Sequence, residues 1–235
     1  MRVPDAQRWT GLLGDDDRAA FDKGGFGQRM GFGTRPAVLV VDMTNLFVDP
    51  RYPNAYGDKA SSAIDAFESL IAAARETATP IFFSRRDARR TAVQRGVTSL
   101  KWGCTTDPLW LEDPEADEWP AAIRPLRNEH ETVIEKSKPS AFFETPLRSQ
   151  LTFLGVDTLI VGGVSTSGCV RAAVTDAFSC NLRVIVPEEC CADRSSLSHA
   201  VSLMDMDMKF ADVMPLTKVL EELRRVTHAP AANMP

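Results

Sequence analysis

Cys169 is the residue of this 235-residue sequence that is best placed to act as a nucleophile. It follows an apolar run, 158–161, and a turn rich in glycine and serine, and small apolar residues then recur at helical spacing. A thiol at the N-terminus of a helix faces unpaired backbone N–H groups and the positive end of the helix dipole, which favour the thiolate and can hold an oxyanion. The alternative is that Cys169 is a small buried hydrophobic residue, as most free cysteines are.

Asp42 and Lys136 could supply the acid–base chemistry that such a thiol needs. Asp42 follows the apolar run 37–41, and Lys136 follows the run 132–135. The carboxyl ends of parallel strands meet at one edge of a sheet, and open α/β sheets keep their sites there. An acid at that edge could accept the thiol proton, and a lysine near the thiol would lower its pKa and stabilise developing charge. The alternatives are that Asp42 orders the loop after it and that Lys136 is a surface residue.

The elements that would position these residues alternate between strands and helices. Apolar runs predict six strands, at 37–41, 80–84, 132–135, 158–161, 183–186 and 210–214. Helical spacing predicts helices at 61–77, 145–154, 195–207 and 216–226, and a further helix directly after Cys169. This order predicts an α/β protein with a doubly wound, Rossmann-like parallel sheet of six strands and helices on both faces.

The sequence predicts one domain, 35–227, between an N-terminal arm, 1–34, and a C-terminal tail, 228–235. The arm is polar and becomes glycine-rich toward its end. It would therefore pack on the body of the protein or on a neighbouring subunit, and the tail would be frayed.

A long insertion, 85–131, separates the second and third predicted strands. Insertions of this size in a compact domain are commonly lids or subunit contacts. Trp102 from this insertion is a candidate wall of a substrate pocket, as are Asn45 and Phe47 from the loop after Asp42.

Composition excludes several classes of protein. A formal net charge of -5 and a pI near 5.3 give no support to nucleic-acid binding, and no apolar run is long enough to cross a membrane. The N-terminus lacks the apolar core of a signal peptide, which predicts a cytoplasmic protein. Five cysteines without a C-x-x-C pair and three scattered histidines predict neither disulfides nor a metal site, and no cofactor is expected.

Three motifs together resemble the cysteine amidohydrolases of the isochorismatase-like superfamily. They are VVD ending at Asp42, IEKSKPSAF containing Lys136 and GGVSTSGCVRAA containing Cys169, and the similarity extends over residues 25–220. The segments GFGQRMGFGTRPAVLVVD, STSGCVRAAVTDA and IVPEECCADR most closely resemble the N-carbamoylsarcosine amidohydrolase branch. The resemblance implies that Asp42, Lys136 and Cys169 form a catalytic triad.

The resemblance also implies how a substrate would be held. A cis peptide bond between Val164 and Ser165 would aim the backbone N–H groups of Ser165 and Cys169 at the substrate carbonyl oxygen, as an oxyanion hole. Arg194 would receive a substrate carboxylate, because a guanidinium can bind a carboxylate through two parallel hydrogen bonds. A salt bridge from Arg194 to Asp193 or to another acid is the alternative use of its charge.

The function that the resemblance implies is hydrolysis of the C–N bond of a small linear amide or N-carbamoyl compound bearing a carboxylate, with ammonia released through a cysteine thioester. N-carbamoylsarcosine-like and maleamate-like substrates both fit, and biuret, ureidoacrylate and nicotinamide are alternatives. Nicotinamidases carry metal-binding histidines after the first strand, whereas only His130 lies between Asp42 and Lys136 here, so no metal is implied. The chain would form a homo-oligomer, a dimer or a tetramer. A catalytically silent binding subunit of the same fold is the alternative from another functional class.

Overall fold

A parallel sheet forms the centre of the protein in its computed structural model, which describes residues 9, 11–87, 91, 93, 96–102, 112–126 and 128–228. Its strands are β1 (Pro36–Val41), β2 (Ile81–Arg86), β3 (Glu131–Lys136), β4 (Thr158–Val164), β5 (Arg183–Pro187), β6 (Cys191–Ala192) and β7 (Asp212–Met214). They are ordered β3-β2-β1-β4-β5-β7, and β6 pairs with the end of β4. The predicted parallel sheet and its six strands are confirmed. The seventh strand, β6, has two residues and is too short to give a periodic signal.

Helices connect the strands. They are α1 (Asp15–Gly24), α2 (Asn45–Val48), α3 (Asp58–Glu76), α4 (Thr98–Lys101), α5 (Leu147–Phe153), α6 (Arg171–Ser179), α7 (Ser196–Lys209) and α8 (Leu216–His228). Short 3₁₀ turns occur at Pro114–Asp117, Ala121–Ile123 and Glu188–Cys190. The predicted helices are present with ends shifted by a few residues. The sequence did not predict α1, because none of its residues is buried and it has no apolar stripe. Among the helices described, none has the length and apolar character needed to cross a membrane.

Two hydrophobic layers, one on each face of the sheet, form the core. Alternate residues of β1 enter opposite layers, with Leu39 and Val41 in one and Val38 and Val40 in the other. Every residue of β1 is buried, which explains its continuous apolar run. Helices α5, α6 and α7 pack in the first layer, and α3 and α8 pack in the second. This arrangement confirms a sheet covered by helices on both faces.

The N-terminal arm lies against α7 and β7. The Gly31 backbone N–H donates to the Asp212 carboxylate at 2.8 Å. Asp207 of α7 forms an ion pair with Arg29 and accepts a hydrogen bond from the Trp9 indole at 3.0 Å. These contacts place the described part of the arm on the body of the same chain.

The insertion between β2 and β3 supports the loop that follows β1. The Asn45 side-chain amide donates to the Glu115 carbonyl oxygen at 2.9 Å, and the Tyr52 hydroxyl donates to Asp113 at 2.6 Å. Residues 88–90, 92, 94–95, 103–111 and 127 of this region lie outside the described residues. In its described part, the insertion braces a loop at the carboxyl edge of the sheet.

Candidate active site

The carboxyl edge of the sheet brings Asp42, Lys136 and Cys169 together. Asp42 follows β1, Lys136 ends β3 and Cys169 lies in the turn after β4. Lys136 Nζ is 2.6 Å from Asp42 Oδ2 and 3.6 Å from Cys169 Sγ. The Asp42 and Lys136 side chains are 4% and 5% exposed, so little water screens this ion pair. The three residues singled out by their positions after apolar runs thus form one contact cluster.

Ser84 in β2 orients the Asp42 carboxylate. Its hydroxyl donates to Asp42 Oδ1 at 2.8 Å and accepts a hydrogen bond from the Asp42 backbone N–H at 3.2 Å. Asp42 has a φ of 54°, a left-handed conformation that aspartate tolerates better than most residues. The role of Ser84 was not predicted from the sequence. Its position at the end of the second predicted strand could have indicated a place near Asp42. In the structure Ser84 is the register partner of Val41, the residue before Asp42.

Acceptors surround the Lys136 ammonium. In addition to its two partners in the cluster, it donates to the Lys138 carbonyl oxygen at 3.2 Å. Burial opposes protonation of Lys136, but the neighbouring Asp42 and Cys169 outweigh burial and raise its pKa. Lys136 is therefore a cation at neutral pH and can stabilise negative charge on either partner. The alternative of a surface lysine is wrong for this residue.

Cys169 lies in a short π-helical turn, Thr166–Val170, which leads directly into α6. The pKa of its thiol is raised to about 12, mainly by burial and also by the Asp42 carboxylate, and the Lys136 ammonium only partly offsets these two effects. The expectation that the start of a helix favours the thiolate is therefore wrong for the resting protein. At neutral pH the sulfur is a thiol that is hydrogen-bonded to Asp42, which is an acceptor for its proton.

Side chains from the segment after β6 hold the turn of residues 165–170, which contains the predicted nucleophile and is named the nucleophile turn. The Ser167 backbone N–H donates to the Asp193 carboxylate at 2.7 Å, and the Thr166 hydroxyl is 2.8 Å from the Nδ1 atom of His199. Asp193 is buried. The peptide bond that enters the turn, between Val164 and Ser165, is cis. From the sequence, Asp193 was expected only as a partner for Arg194, and His199 was not predicted to be part of the site.

Gly163 allows the end of β4 to lie directly against β1. Its φ of 131° is one that residues with side chains rarely adopt, and an added Cβ would lie 2.0 Å from the Val41 carbonyl oxygen. Only glycine fits this position. The close approach sets the nucleophile turn beside Asp42, since Gly163 and Val41 are register partners.

A cavity of about 380 Å³ opens beside Cys169. Its lining includes Ser165 of the nucleophile turn and two of the predicted walls, Phe47 and Trp102. Asn45, the third predicted wall, is not part of this lining, because its amide is turned toward the insertion. A cavity of this volume suits a small molecule.

Arg194 lines the same cavity. Its Nη1 donates to the Tyr56 hydroxyl at 2.7 Å, and its Nη2 donates to the Asn54 carbonyl oxygen at 2.6 Å. The guanidinium carbon lies 4.1 Å from the centre of the Tyr56 ring. Asp193 accepts hydrogen bonds from backbone N–H groups instead, and no acid among the described residues forms an ion pair with Arg194, so the salt-bridge alternative is wrong. Both described partners of the guanidinium are neutral and leave its positive charge available. Asn54 and Tyr56 were not predicted from the sequence to line the cavity.

The sequence profile of the isochorismatase domain matches residues 36–218. The chain belongs to the isochorismatase family. The match includes the whole sheet, the cluster of Asp42, Lys136 and Cys169, and Arg194. It confirms the resemblance described from the motifs.

Relatives in the isochorismatase family match most of the chain. It is 34% identical to maleamate amidohydrolase of Pseudomonas putida over 204 residues, which cover 87% of this chain and 94% of that protein. It is 33% identical to N-carbamoylsarcosine amidase of an Arthrobacter species over 205 residues, which cover 86% of this chain and 76% of that protein. The solved structure of a cysteine hydrolase from Pseudomonas syringae pv. phaseolicola has the same fold, with a TM-score of 0.76 and 21% identity over 84% of this chain and 97% of that one.

Proposed function

We propose that this isochorismatase-family hydrolase is an amidohydrolase that releases ammonia from a small linear amide or N-carbamoyl compound bearing a carboxylate. The observation that carries the proposal is the position of Lys136 Nζ, which contacts both the Asp42 carboxylate and the Cys169 sulfur beside the cavity. A thiol, a proton acceptor and a buried cation in mutual contact are the groups that nucleophilic attack on an amide carbonyl needs.

In the first step, the Cys169 sulfur attacks the substrate carbonyl carbon while Asp42 accepts the thiol proton. The pKa of the thiol is about 12, so transfer to a carboxylate that is already hydrogen-bonded avoids a free thiolate at neutral pH. Lys136 keeps its proton and stabilises the negative charge as it moves from Asp42 to the substrate. The product of this step is a tetrahedral intermediate with a negatively charged oxygen.

The backbone N–H groups of Ser165 and Cys169 would bind that oxygen, and donors of this kind contribute about 3 kcal/mol each to transition-state stabilisation. Asp42 then returns the proton to the leaving nitrogen, the C–N bond breaks and ammonia departs. Asp42 next takes a proton from water, which attacks the thioester. Release of the carboxylic or carbamic acid restores the Cys169 thiol.

Arg194 would bind the substrate carboxylate. Its guanidinium lines the cavity and has neutral hydrogen-bond partners, so its charge is available to an anion. Maleamate and N-carbamoylsarcosine, the compounds in the names of the two relatives, each carry a carboxylate a few bonds from an amide or carbamoyl carbon. Substrates of these two types therefore offer a carboxylate to Arg194 and an amide or carbamoyl carbon to the Cys169 sulfur. A homo-oligomer, a cytoplasmic location and independence from metals and cofactors remain predictions from the sequence.

Ammonia release from maleamate, N-carbamoylsarcosine, biuret, ureidoacrylate and nicotinamide tests this function. We expect turnover of a carboxylate-bearing compound and its complete loss in Cys169→Ala, with the fold checked by circular dichroism. Cys180→Ala is the matched control, because Cys180 is a free thiol that does not line the active-site cavity. Undiminished turnover by Cys169→Ala would contradict the proposed nucleophile. A wild-type protein that hydrolyses none of these compounds would favour the silent binding subunit.

A further inference from the structure

Asn54 and Tyr56, in the loop between α2 and α3, form one side of the cavity together with Arg194. They are 9% and 8% exposed, and the chemistry described above uses neither side chain. We propose that these two residues determine selectivity for anionic substrates. Tyr56 is a positioning residue for Arg194, and the Asn54 amide, whose buried Nδ2 atom lacks a partner among the described residues, turns toward the bound carboxylate and donates a second hydrogen bond. This inference rests on the proposed function and extends it.

Tyr56 holds the Arg194 guanidinium at two points. Its hydroxyl accepts the hydrogen bond from Nη1 at 2.7 Å, and its ring lies under the guanidinium carbon at 4.1 Å. An arginine that is already held in place loses less side-chain freedom when an anion binds, which increases affinity. The hydroxyl is also hydrogen-bonded to the Ser165 side chain. Tyr56 therefore fixes the distance between the carboxylate-binding group and the nucleophile turn.

Asn54 presents a donor that lacks a partner. Its Nδ2 atom is buried, and the described part of the chain offers it no hydrogen-bond acceptor. A buried amide N–H without a partner is unfavourable and is rare in folded proteins. The backbone carbonyl of the same residue holds Arg194 Nη2 at 2.6 Å, so the amide and the guanidinium belong to one end of the cavity.

A carboxylate placed at this end would satisfy both residues, because it has only acceptor oxygens. Arg194 has only N–H donors, and the Asn54 atom that lacks a partner in the described part of the chain, Nδ2, is also a donor. A neutral carboxamide of the same size would turn an N–H group toward these donors and leave polar groups unpaired. Discrimination of this kind, through unpaired buried groups, is stronger than discrimination by size alone.

The test compares each variant on the carboxylate-bearing substrate and on its carboxamide counterpart, for example maleamate and maleamide. The readout is the ratio of their kcat/KM values. We expect Tyr56→Phe and Asn54→Ala each to lower this ratio about tenfold, mainly through a higher KM for the anion. Tyr52→Phe is the matched control, because that hydroxyl bonds to Asp113 outside the cavity and its loss should leave the ratio unchanged.

An unchanged ratio in both variants would overturn the inference. Equal losses on both substrates would also overturn it, because they would assign Tyr56 to the nucleophile turn through Ser165. If the wild-type protein hydrolyses no substrate, calorimetric binding of maleate gives a readout that needs no turnover. Weaker maleate binding in both variants would then support the inference despite failure of the proposed function, and no binding by the wild-type protein would refute it.

Discussion

Replacing Asp42 with asparagine tests the proposed proton transfer. The substitution removes the carboxylate that would accept the Cys169 proton and keeps a side chain of the same size. Asparagine also tolerates the left-handed backbone, so the φ of 54° adds no steric cost. The Ser84 hydroxyl can still donate to the side-chain oxygen. Changes in rate should therefore report on chemistry, and circular dichroism checks that the variant folds.

The pKa of Cys169 sets the size of the expected effect. A pKa of about 12 leaves a thiolate fraction of about 10⁻⁵ at pH 7. If only the thiolate reacts, a variant without the proton acceptor would turn over at about that fraction of the wild-type rate. Loss of the Asp42 charge removes one cause of the raised pKa, while Lys136 remains 3.6 Å from the sulfur, so the thiolate fraction in the variant exceeds this lower limit. We therefore expect kcat/KM at pH 7 to fall by about 10³-fold to 10⁵-fold.

Initial rates of ammonia release between about pH 6 and pH 10 give a second signature. The residual rate of Asp42→Asn should rise about tenfold per pH unit, because only the thiolate form reacts. The wild-type rate should lack this rise, because the proton moves within the complex. Asp49→Asn is the matched control, since Asp49 pairs with Arg51 outside the cavity. A variant within tenfold of wild type at pH 7, or a residual rate that does not depend on pH, would refute this account.

Two further predictions concern the nucleophile turn and the thiol. Gly163→Ala should destabilise the fold by at least about 3 kcal/mol in denaturant unfolding, because its Cβ would lie 2.0 Å from the Val41 carbonyl oxygen. Gly14→Ala, whose Cβ meets nothing closer than 3.7 Å, is the control, and equal unfolding midpoints would contradict the prediction. The ultraviolet absorbance of thiolate, compared between wild type and Cys169→Ala, should show no ionisation of Cys169 between about pH 6 and pH 9, because its pKa is about 12. An ionisation step in that range, or thiolate absorbance of Cys169 already present at pH 6, would contradict a pKa of about 12.

The fold was predictable because burial on both faces leaves a continuous apolar run in the sequence. All residues of β1 and β4 are buried, and both strands were found from such runs. The cluster of Asp42, Lys136 and Cys169 followed from the same signal, since parallel strands place their carboxyl ends together. The two-residue strand β6 gives no run to detect.

The partners of the predicted site residues could not be read from the sequence, because each contact joins distant segments. Ser84 is 42 residues from Asp42, and Tyr56 is 138 residues from Arg194. The protonation state of Cys169 was also out of reach. Its position at the start of a helix suggested a thiolate, but burial is the largest influence on its pKa and acts in the opposite direction.

Asp193 and Arg194 are consecutive residues with different functions. Asp193 stabilises the nucleophile turn by accepting a hydrogen bond from the Ser167 backbone N–H, and Arg194 lines the cavity. Anyone who redirects this enzyme by grafting the 187–195 segment of a relative would replace both functions at once. A grafted segment without an acid at position 193 would remove the hydrogen bond to the Ser167 backbone N–H. The position of the Cys169 sulfur would then be less well fixed, even if the arginine were kept. Substitutions confined to positions 54, 56 and 194 would alter substrate selectivity and keep the hydrogen bond between Asp193 and Ser167.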